Sequence, residues 1–386
     1  MVVGTRPEAI KMAPVARALA AREDLLESRL VLTGQHDELV GQVLRAFDLV
    51  PELGLFPDLD LAVMREGQDL YDLAQACLQG LRGVARDFRP DLILVQGDTA
   101  TVFLSSLVAF FEKVRVGHVE SGLRSGNKWA PYPEEMFRRL SDVLADLHFA
   151  PTARARDNLL GEGVPGGRIF LTGNTVVDAL LAVAGLRRVP GNPQLRRVLE
   201  GGNRLVLLTA HRRESFGMPL RDVFGAVREL ADREDTIEIL YPVHPNPQVL
   251  GPARELLSGH PRIHLTDPLD YLDLVSALER AALVLTDSGG IQEEAPTFGT
   301  PVLVLREVTE RPEGVEAGVA SLVGTDWRKI VETALSRLQA PPPGTGTGPS
   351  LVRNPYGDGR AGERIADVVA SSLAGVPRVT RDWDGA

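Results

Sequence analysis

Short apolar runs alternate with helix-periodic segments along nearly the whole chain, and that alternation admits few folds. A run of four to six apolar residues followed by apolar positions at three-to-four spacing reads as a strand buried on both faces, then a helix covering it. Strand candidates fall at 28–33, 92–96, 114–119, 147–150 and 169–172, and a second series at 205–209, 237–242, 263–265, 283–286 and 302–305. Helical spacing is clearest at 70–85 and 220–231. The pattern predicts α/β, with two doubly wound domains of parallel sheet. Two domains also follow from length, since 386 residues exceed the ~250–300 at which single cores stop growing. The domain boundary is expected near Gly173-Asn174.

Charge and composition remove whole classes of partner. A net charge of −10 and a pI near 5.3 argue against nucleic acid and against an anionic membrane. No apolar run approaches the ~18–20 residues of a membrane span. The single cysteine, Cys77, leaves no disulfide framework or cysteine-rich metal site and fits a reducing cytoplasm. The seven histidines show no metal-ligand spacing, so no metal is expected. No G-x-G-x-x-G follows a strand, which lowers the odds of a nicotinamide cofactor. Met1-Val2-Val3 is only a stub of a strand before Gly4, so either the start lies upstream or the first strand is short. Residues 190–202 read as a loop around a short helix, 341–349 as a Pro/Gly tract of low complexity, 362–373 as a helix and 375–386 as a frayed tail.

In open parallel sheets ligands bind beyond the carboxyl ends of the strands, and the polar motifs of this chain collect there. The sequence Asp287-Ser288-Gly289-Gly290-Ile291-Gln292-Glu293-Glu294 follows the run 282–285 and reads as strand, turn, then a helix beginning near Ile291, with Ser288 able to cap it. Glycines let a ligand approach bare backbone, and a helix N-terminus attracts anions. Glu294, about one turn (~3.6 residues) in, can accept from sugar hydroxyls but would repel phosphate. Phosphate beside sugar points to a nucleotide; a plain glycine-rich bend is the alternative.

Gly4-Thr5-Arg6-Pro7-Glu8-Ala9-Ile10-Lys11 offers Arg6 and Lys11 to phosphate, or a solvated helix start. Asp98 can cap the helix after 92–96, or join Glu120, at the next strand end, in one cleft. Paired carboxylates in a partly dry cleft push their pKa values apart, which suits acid/base work. Glu134 and Arg138, four apart after Pro133, are either a third acid with its arginine or an exposed helical ion pair. In the second half, His211-Arg212-Arg213 at a strand end suits a diphosphate, with His211 able to protonate a departing phosphate. Tyr241-Pro242-Val243-His244 repeats the idea more weakly, and Arg311 follows the strand at 302–305.

Together these motifs resemble the non-hydrolysing UDP-N-acetylglucosamine 2-epimerases of bacteria. The matching pieces are 4–11, Gly97-Asp98-Thr99, 118–124, Pro133-Glu134-Glu135, Thr172-Gly173-Asn174-Thr175, 211–217, 287–296, 309–313 and 354–359, in family order over nearly the whole chain. The resemblance implies a GT-B-like pair of Rossmann-like domains with the active site in the interdomain cleft. Residues 1–172 and 360–380 would form one domain, the C-terminal helix crossing back, and 173–359 the other, UDP-binding one. It implies interconversion of UDP-GlcNAc and UDP-ManNAc at carbon 2 by elimination of UDP to 2-acetamidoglucal and re-addition, without a cofactor. Catalytic roles carry to Asp98, Glu120, Glu134, Arg138 and His211. Substrate binding carries to Arg6, Lys11, Asp98, Glu120, His211, Ser288, Gly289, Gly290, Glu294 and Arg311.

A homodimer is implied as well, and an allosteric second UDP-GlcNAc at Gln35, His36, Arg212 and His244, although Glu38 and Gly67 depart there from the pattern of some relatives; Leu274 stands where some relatives place an aromatic near uracil. A hydrolysing epimerase, a glycosyltransferase of the same architecture and a silent sugar-nucleotide sensor are the rival readings.

Overall fold

The computed structural model describes residues 1–34, 57–63, 67–339 and 354–385. The chain divides into two compact units, Met1–Ala182 with Tyr356–Gly385, and Val183–Pro355.

The strands of the first unit are β1 (Val2–Val3), β2 (Leu30–Leu32), β3 (Pro57–Asp60), β4 (Leu92–Gln96), β5 (Arg115–Val119), β6 (Leu147–Ala150) and β7 (Ile169–Leu171). Its helices are α1 (Arg6–Ala20), α2 (Leu70–Phe88), α3 (Ala100–Phe111), α4 (Glu134–Leu144), α5 (Ala153–Gly161) and α6 (Thr175–Gly185). All strand pairs are parallel, in the orders β1-β2-β3 and β4-β5-β6-β7, and β1 lies beside β4. The two-residue β1 holds register with β2 through Val2↔Val31 and Val3↔Leu32. Strands such as Leu92-Ile93-Leu94-Val95 are apolar at successive positions because helices cover both faces. Asp69, Thr99 and Thr152 cap α2, α3 and α5, each accepting a bond from an N–H three residues on.

The C-terminal helix, Ala361–Ala374, packs on α1, and Asp367 on it pairs with Arg22 at 3.1 Å. The segment beyond it is anchored, which corrects the expectation of a frayed tail. Asp367 accepts the N–H groups of Val379 and Thr380 at 2.8 and 2.6 Å. Trp383, 5 % exposed, donates its backbone N–H to the Leu171 carbonyl at 2.8 Å, and its ring joins the cluster of Ala150, Leu159 and Leu171. One buried aromatic and one buried carboxylate hold a segment whose composition reads as loose.

The second unit has β8 (Arg204–Thr209), β9 (Ile237–Pro242), β10 (Ile263–Thr266), β11 (Ala281–Thr286), β12 (Val302–Val304) and β13 (Ala320–Leu322). Its helices are α7 (Pro193–Glu200), α8 (Met218–Arg233), α9 (Pro247–Leu257), α10 (Tyr271–Arg280), α11 (Gly289–Glu294), α12 (Pro312–Glu316) and α13 (Trp327–Gln339). The parallel sheet runs β10-β9-β8-β11-β12-β13, the Rossmann order, with its reversal between β8 and β11. A core of Val206, Leu208, Phe224, Tyr241, Leu283 and Leu285 fills one side of that reversal. Two strands escape the sequence pattern, β3 and β13, both edge strands of three or four residues with too few apolar positions to stand out.

Candidate functional site

In the first unit β1, β4 and β5 end side by side, and their following loops carry the polar motifs. Thr99, not Asp98, caps α3, its Oγ1 accepting from the Val102 N–H at 3.4 Å. That frees the Asp98 carboxylate for Arg138, with which it forms a close ion pair. Arg138 also reaches Glu135 at 3.3 Å, so the helical pair between Glu134 and Arg138 is not what forms. Glu135 is fully buried, fixed by the N–H groups of Ser125 and Gly126, and draws the guanidinium inward. Glu134 is left at the start of α4 with its Oε2 buried and without a hydrogen-bond partner among the described residues.

Glu120 adopts a left-handed backbone, φ +65°, uncommon for a residue with a side chain and enriched at functional sites. Its Oε2 accepts from Lys11 Nζ at 2.5 Å and Gln96 Nε2 at 2.6 Å. Lys11, expected at phosphate, thus sits on this carboxylate. Arg6, on the first turn of α1, has no ion pair among the described residues.

Two further groups here did not stand out in the sequence. Glu8, 3 % exposed, accepts from the Gly4 N–H at 2.6 Å and the Thr5 hydroxyl at 3.0 Å. Burial pushes its carboxyl up to about 7, against those hydrogen bonds, with the Asp98 charge adding to the rise. The spacing Thr5-x-x-Glu8 is a capping-box signature and could have revealed it. His118, at the end of β5, is wholly buried between the Asp142 carboxylate and the Gly97 carbonyl, at 2.6 and 2.7 Å. No local spacing announces that contact, because Asp142 lies 24 residues away on α4.

In the second unit the reversal between β8 and β11 brings two loops together. Thr209 and Thr286, the last residues of these strands, share a hydroxyl–hydroxyl bond of 2.6 Å. Asp287, 1 % exposed, accepts the N–H groups of His211 and Arg212 at 2.7 and 2.8 Å and lies 3.5 Å from His211 Nδ1. Burial lowers the pKa of His211, and the charges of His244 and Arg212 add to that effect against the pull of Asp287. Its ring stacks on His244, centroids 5.5 Å apart and planes 9° from parallel.

The helix α11 begins at Gly289, two residues earlier than expected. Ser288 occupies the cap position, but its hydroxyl makes no cap bond; its N–H donates to Thr286 Oγ1 at 2.9 Å. A Cβ at Gly289 would meet only Arg212 Nη2, at 4.0 Å, so the turn is open to a ligand. Glu294 folds back, its Oε1 3.5 Å from where a Gly290 Cβ would stand. Arg311 is bound to Glu293 in a close ion pair, and Thr309 donates to Gln292 at 2.5 Å, tying the β12–α12 loop to α11. Of the expected second-ligand set, Arg212 and His244 lie at this turn and beside His211; Gln35 and His36, like the tract at 341–349, lie outside the described residues.

Among the described residues no cluster of three His, Cys, Asp or Glu could hold a metal ion, and no helix is long and apolar enough to cross a membrane.

Comparison with known proteins bears on these sites. A family profile described as UDP-N-acetylglucosamine 2-epimerase matches residues 17–370. A Yersinia pestis protein named UDP-N-acetylglucosamine 2-epimerase is 48 % identical over 371 residues, covering 94 % of this chain and 96 % of its own. The S. aureus MnaA–UDP co-structure is 40 % identical with a TM-score of 0.85, covering 99 % of this chain and 98 % of that one. The Neisseria meningitidis UDP-GlcNAc 2-epimerase bound to UDP-GlcNAc is 38 % identical with a TM-score of 0.81, covering 97 % and 99 %. The expected α/β class, two Rossmann-like doubly wound domains of GT-B-like kind, holds.

Proposed function

We propose, since the chain belongs to the UDP-N-acetylglucosamine 2-epimerase family, a family of isomerases, that it interconverts UDP-GlcNAc and UDP-ManNAc without releasing free sugar. The observation that carries the proposal is the gathering of Asp98, Glu120, Lys11 and Arg138 where β1, β4 and β5 end. The proton on carbon 2 of the sugar is not acidic. A positioned base must take it as the bond from carbon 1 to the UDP oxygen breaks, leaving 2-acetamidoglucal and UDP. Re-addition of UDP with a proton delivered to the opposite face of carbon 2 completes the inversion. Asp98, Glu120 and Glu134 are the acid/base groups and Arg138 the partner of Asp98.

UDP is held by the second unit. The N–H groups opening α11 have no intrahelical partner, and Arg212 and His211 stand beside them. Positive charge there stabilises UDP as leaving group. Gly290, Glu294 and Arg311 complete the nucleotide set of this unit. A second UDP-GlcNAc acts as allosteric activator through Arg212 and His244, and the stack of His244 on His211 is the support for that coupling. The protein works as a homodimer in the cytoplasm. Exposed apolar side chains at Phe110 and Phe111 on α3 and Val143 on α4, 61, 63 and 81 % exposed, support the first, and the buried free thiol of Cys77 fits the second.

Incubation with UDP-GlcNAc in deuterated water, followed by NMR, tests the reaction. UDP-ManNAc bearing deuterium at carbon 2 is expected. Free ManNAc would replace the proposal with a hydrolysing enzyme, and absence of exchange would sink both.

A further inference from the structure

A buried charged network lies directly beneath the carboxylates of the first unit, and nothing in the reaction above uses it. His118 is 0 % exposed and both of its ring nitrogens are engaged. Nε2 lies 2.7 Å from the Gly97 carbonyl, which can only accept, so Nε2 carries a proton. Nδ1 lies 2.6 Å from Asp142 Oδ1. Asp142 also accepts from the Ser121 hydroxyl at 2.5 Å, the Gly122 N–H at 3.3 Å and Arg124 at 2.7 Å. A carboxylate surrounded by that many donors is ionised, so Nδ1 donates to it as well, and the ring is an imidazolium. Burial opposes a charged ring, but Asp142 and the Gly97 carbonyl together raise the His118 pKa, while His118, His148 and Arg124 hold Asp142 well below the usual carboxylate range against burial.

The placement of these partners gives the network a job. Gly97 immediately precedes Asp98, Ser121 immediately follows Glu120, and Asp142 stands one helical turn after Arg138 on α4. Three separate pieces of chain that carry reacting groups are therefore tied to one ring. Glu120 has φ +65°, a left-handed conformation that a residue with a side chain holds only with support from its surroundings.

We propose that His118 is the positioning residue of the acid/base site: its imidazolium, donating to Gly97 on one side and Asp142 on the other, sets where the Asp98 and Glu120 carboxylates stand. The charged or titratable groups facing it are Asp142 from α4, His148 from β6, whose Nδ1 is 3.0 Å from the Ser121 hydroxyl, and Arg124 after β5. Arg124 is backed in turn by Glu162 beyond α5, at 2.7 Å. The inference rests on the proposed reaction for its kinetic reading and on the protein alone for its protonation state.

Two substitutions separate the two halves of the clamp. His118→Gln keeps an N–H within reach of the Gly97 carbonyl, and His118→Asn keeps one toward Asp142. If the clamp on Gly97 positions Asp98, His118→Asn loses about 100-fold in kcat. His118→Gln loses less than about tenfold, the worth of one hydrogen bond. UDP affinity, measured by calorimetry, stays level in both, because UDP is assigned to the second unit. Equal losses in the two variants, or a larger loss in His118→Gln, would overturn the proposal.

The protonation state is read without turnover or folding of a variant at stake. In wild-type protein labelled with ¹⁵N-histidine, the signals of His118, assigned by through-bond connection, are those of a doubly protonated ring at pH 7, above the ordinary histidine pKa of about 6.5. A bare ring nitrogen at pH 7 would refute the clamp. A wild-type protein that does not turn over UDP-GlcNAc yet shows the doubly protonated ring would instead refute the assigned reaction.

Discussion

Replacing Glu8 by glutamine should stabilise the first unit above neutral pH and do little below pH 5. Glu8 is 3 % exposed, and its carboxyl is raised from 4.5 to about 7, chiefly by burial. In the unfolded chain it ionises above its ordinary value; in the folded protein it keeps its proton until about 7. Between those values the unfolded state binds fewer protons, so stability falls as pH rises and is fully diminished above the folded pKa. A rise of that size corresponds to about 3 kcal/mol, at 1.36 kcal/mol for each unit. Glutamine has the same shape and no charge. Its carbonyl can accept the Gly4 N–H, now at 2.6 Å, and the Thr5 hydroxyl can turn to accept from its amide. Hydrogen-exchange mass spectrometry on peptides spanning 92–119 reads the opening of this unit, and comparing wild type with Glu8→Gln at each pH cancels the intrinsic rates and every other titration. Protection should match at pH 5 and exceed wild type by about two orders of magnitude at pH 8.5. A difference that stays flat across that range would refute burial as the cause and leave Glu8 an ordinary capping carboxylate.

Three further outcomes follow from the same geometry. Asp98→Asn, Glu120→Gln and Glu134→Gln should each cut kcat by at least about 100-fold while UDP affinity by calorimetry stays within a few-fold; unchanged turnover in all three would refute the acid/base assignment. Gly122→Ala should cost about 2–4 kcal/mol in urea unfolding of the first unit, because φ is +89° and a Cβ would stand 2.2 Å from the Ala155 carbonyl; a loss under about 1 kcal/mol would show that α5 gives way freely. His211 has a lowered pKa and is neutral near pH 7 in the free protein, so a diphosphate placed beside it raises that pKa and UDP binding takes up protons as pH falls through the interval between the two values. Calorimetry near pH 6 in buffers of different ionisation enthalpy measures that uptake, and its absence would separate His211 from the phosphates.

The strands that could be read from sequence are those buried on both faces. Leu92–Gln96 and Ile237–Pro242 fall where their apolar runs place them. Edge strands β3 and β13 need no such run and left no signal. Candidate residues at strand ends could be singled out because open parallel sheets bind ligands there. What they touch was not. Arg138 has Glu134 at helical spacing, yet Glu135 and the α3 loop supply the partners it takes. Asp98 was the cap the sequence suggested, and the turn of the loop gives that place to Thr99 instead. The contact of His118 with Asp142 exists only once β5 packs against α4, so no window of sequence contains it.

Both units use one topological device and fill it in opposite ways. Strand order reverses between β8 and β11 in the second unit, and β1 lies beside β4 in the first, so in each a pair of loops opens at neighbouring strand ends. In the second unit the carboxylate at that point, Asp287, is buried and turned inward onto two backbone N–H groups. Its charge is spent on holding the β8 loop, and the helix start and Arg212 are what the site presents to a ligand. In the first unit the carboxylates of Asp98 and Glu120 are partnered by side-chain cations, Arg138 and Lys11. Backbone N–H groups suit an anion that must be held, and a carboxylate beside a side-chain cation suits the proton transfers of the proposed reaction. In a chain of net charge −10 the diphosphate proposed above needs a place where acids are turned away from it, and around Asp287 the acid is turned onto backbone N–H groups while Arg212 stands at the start of α11.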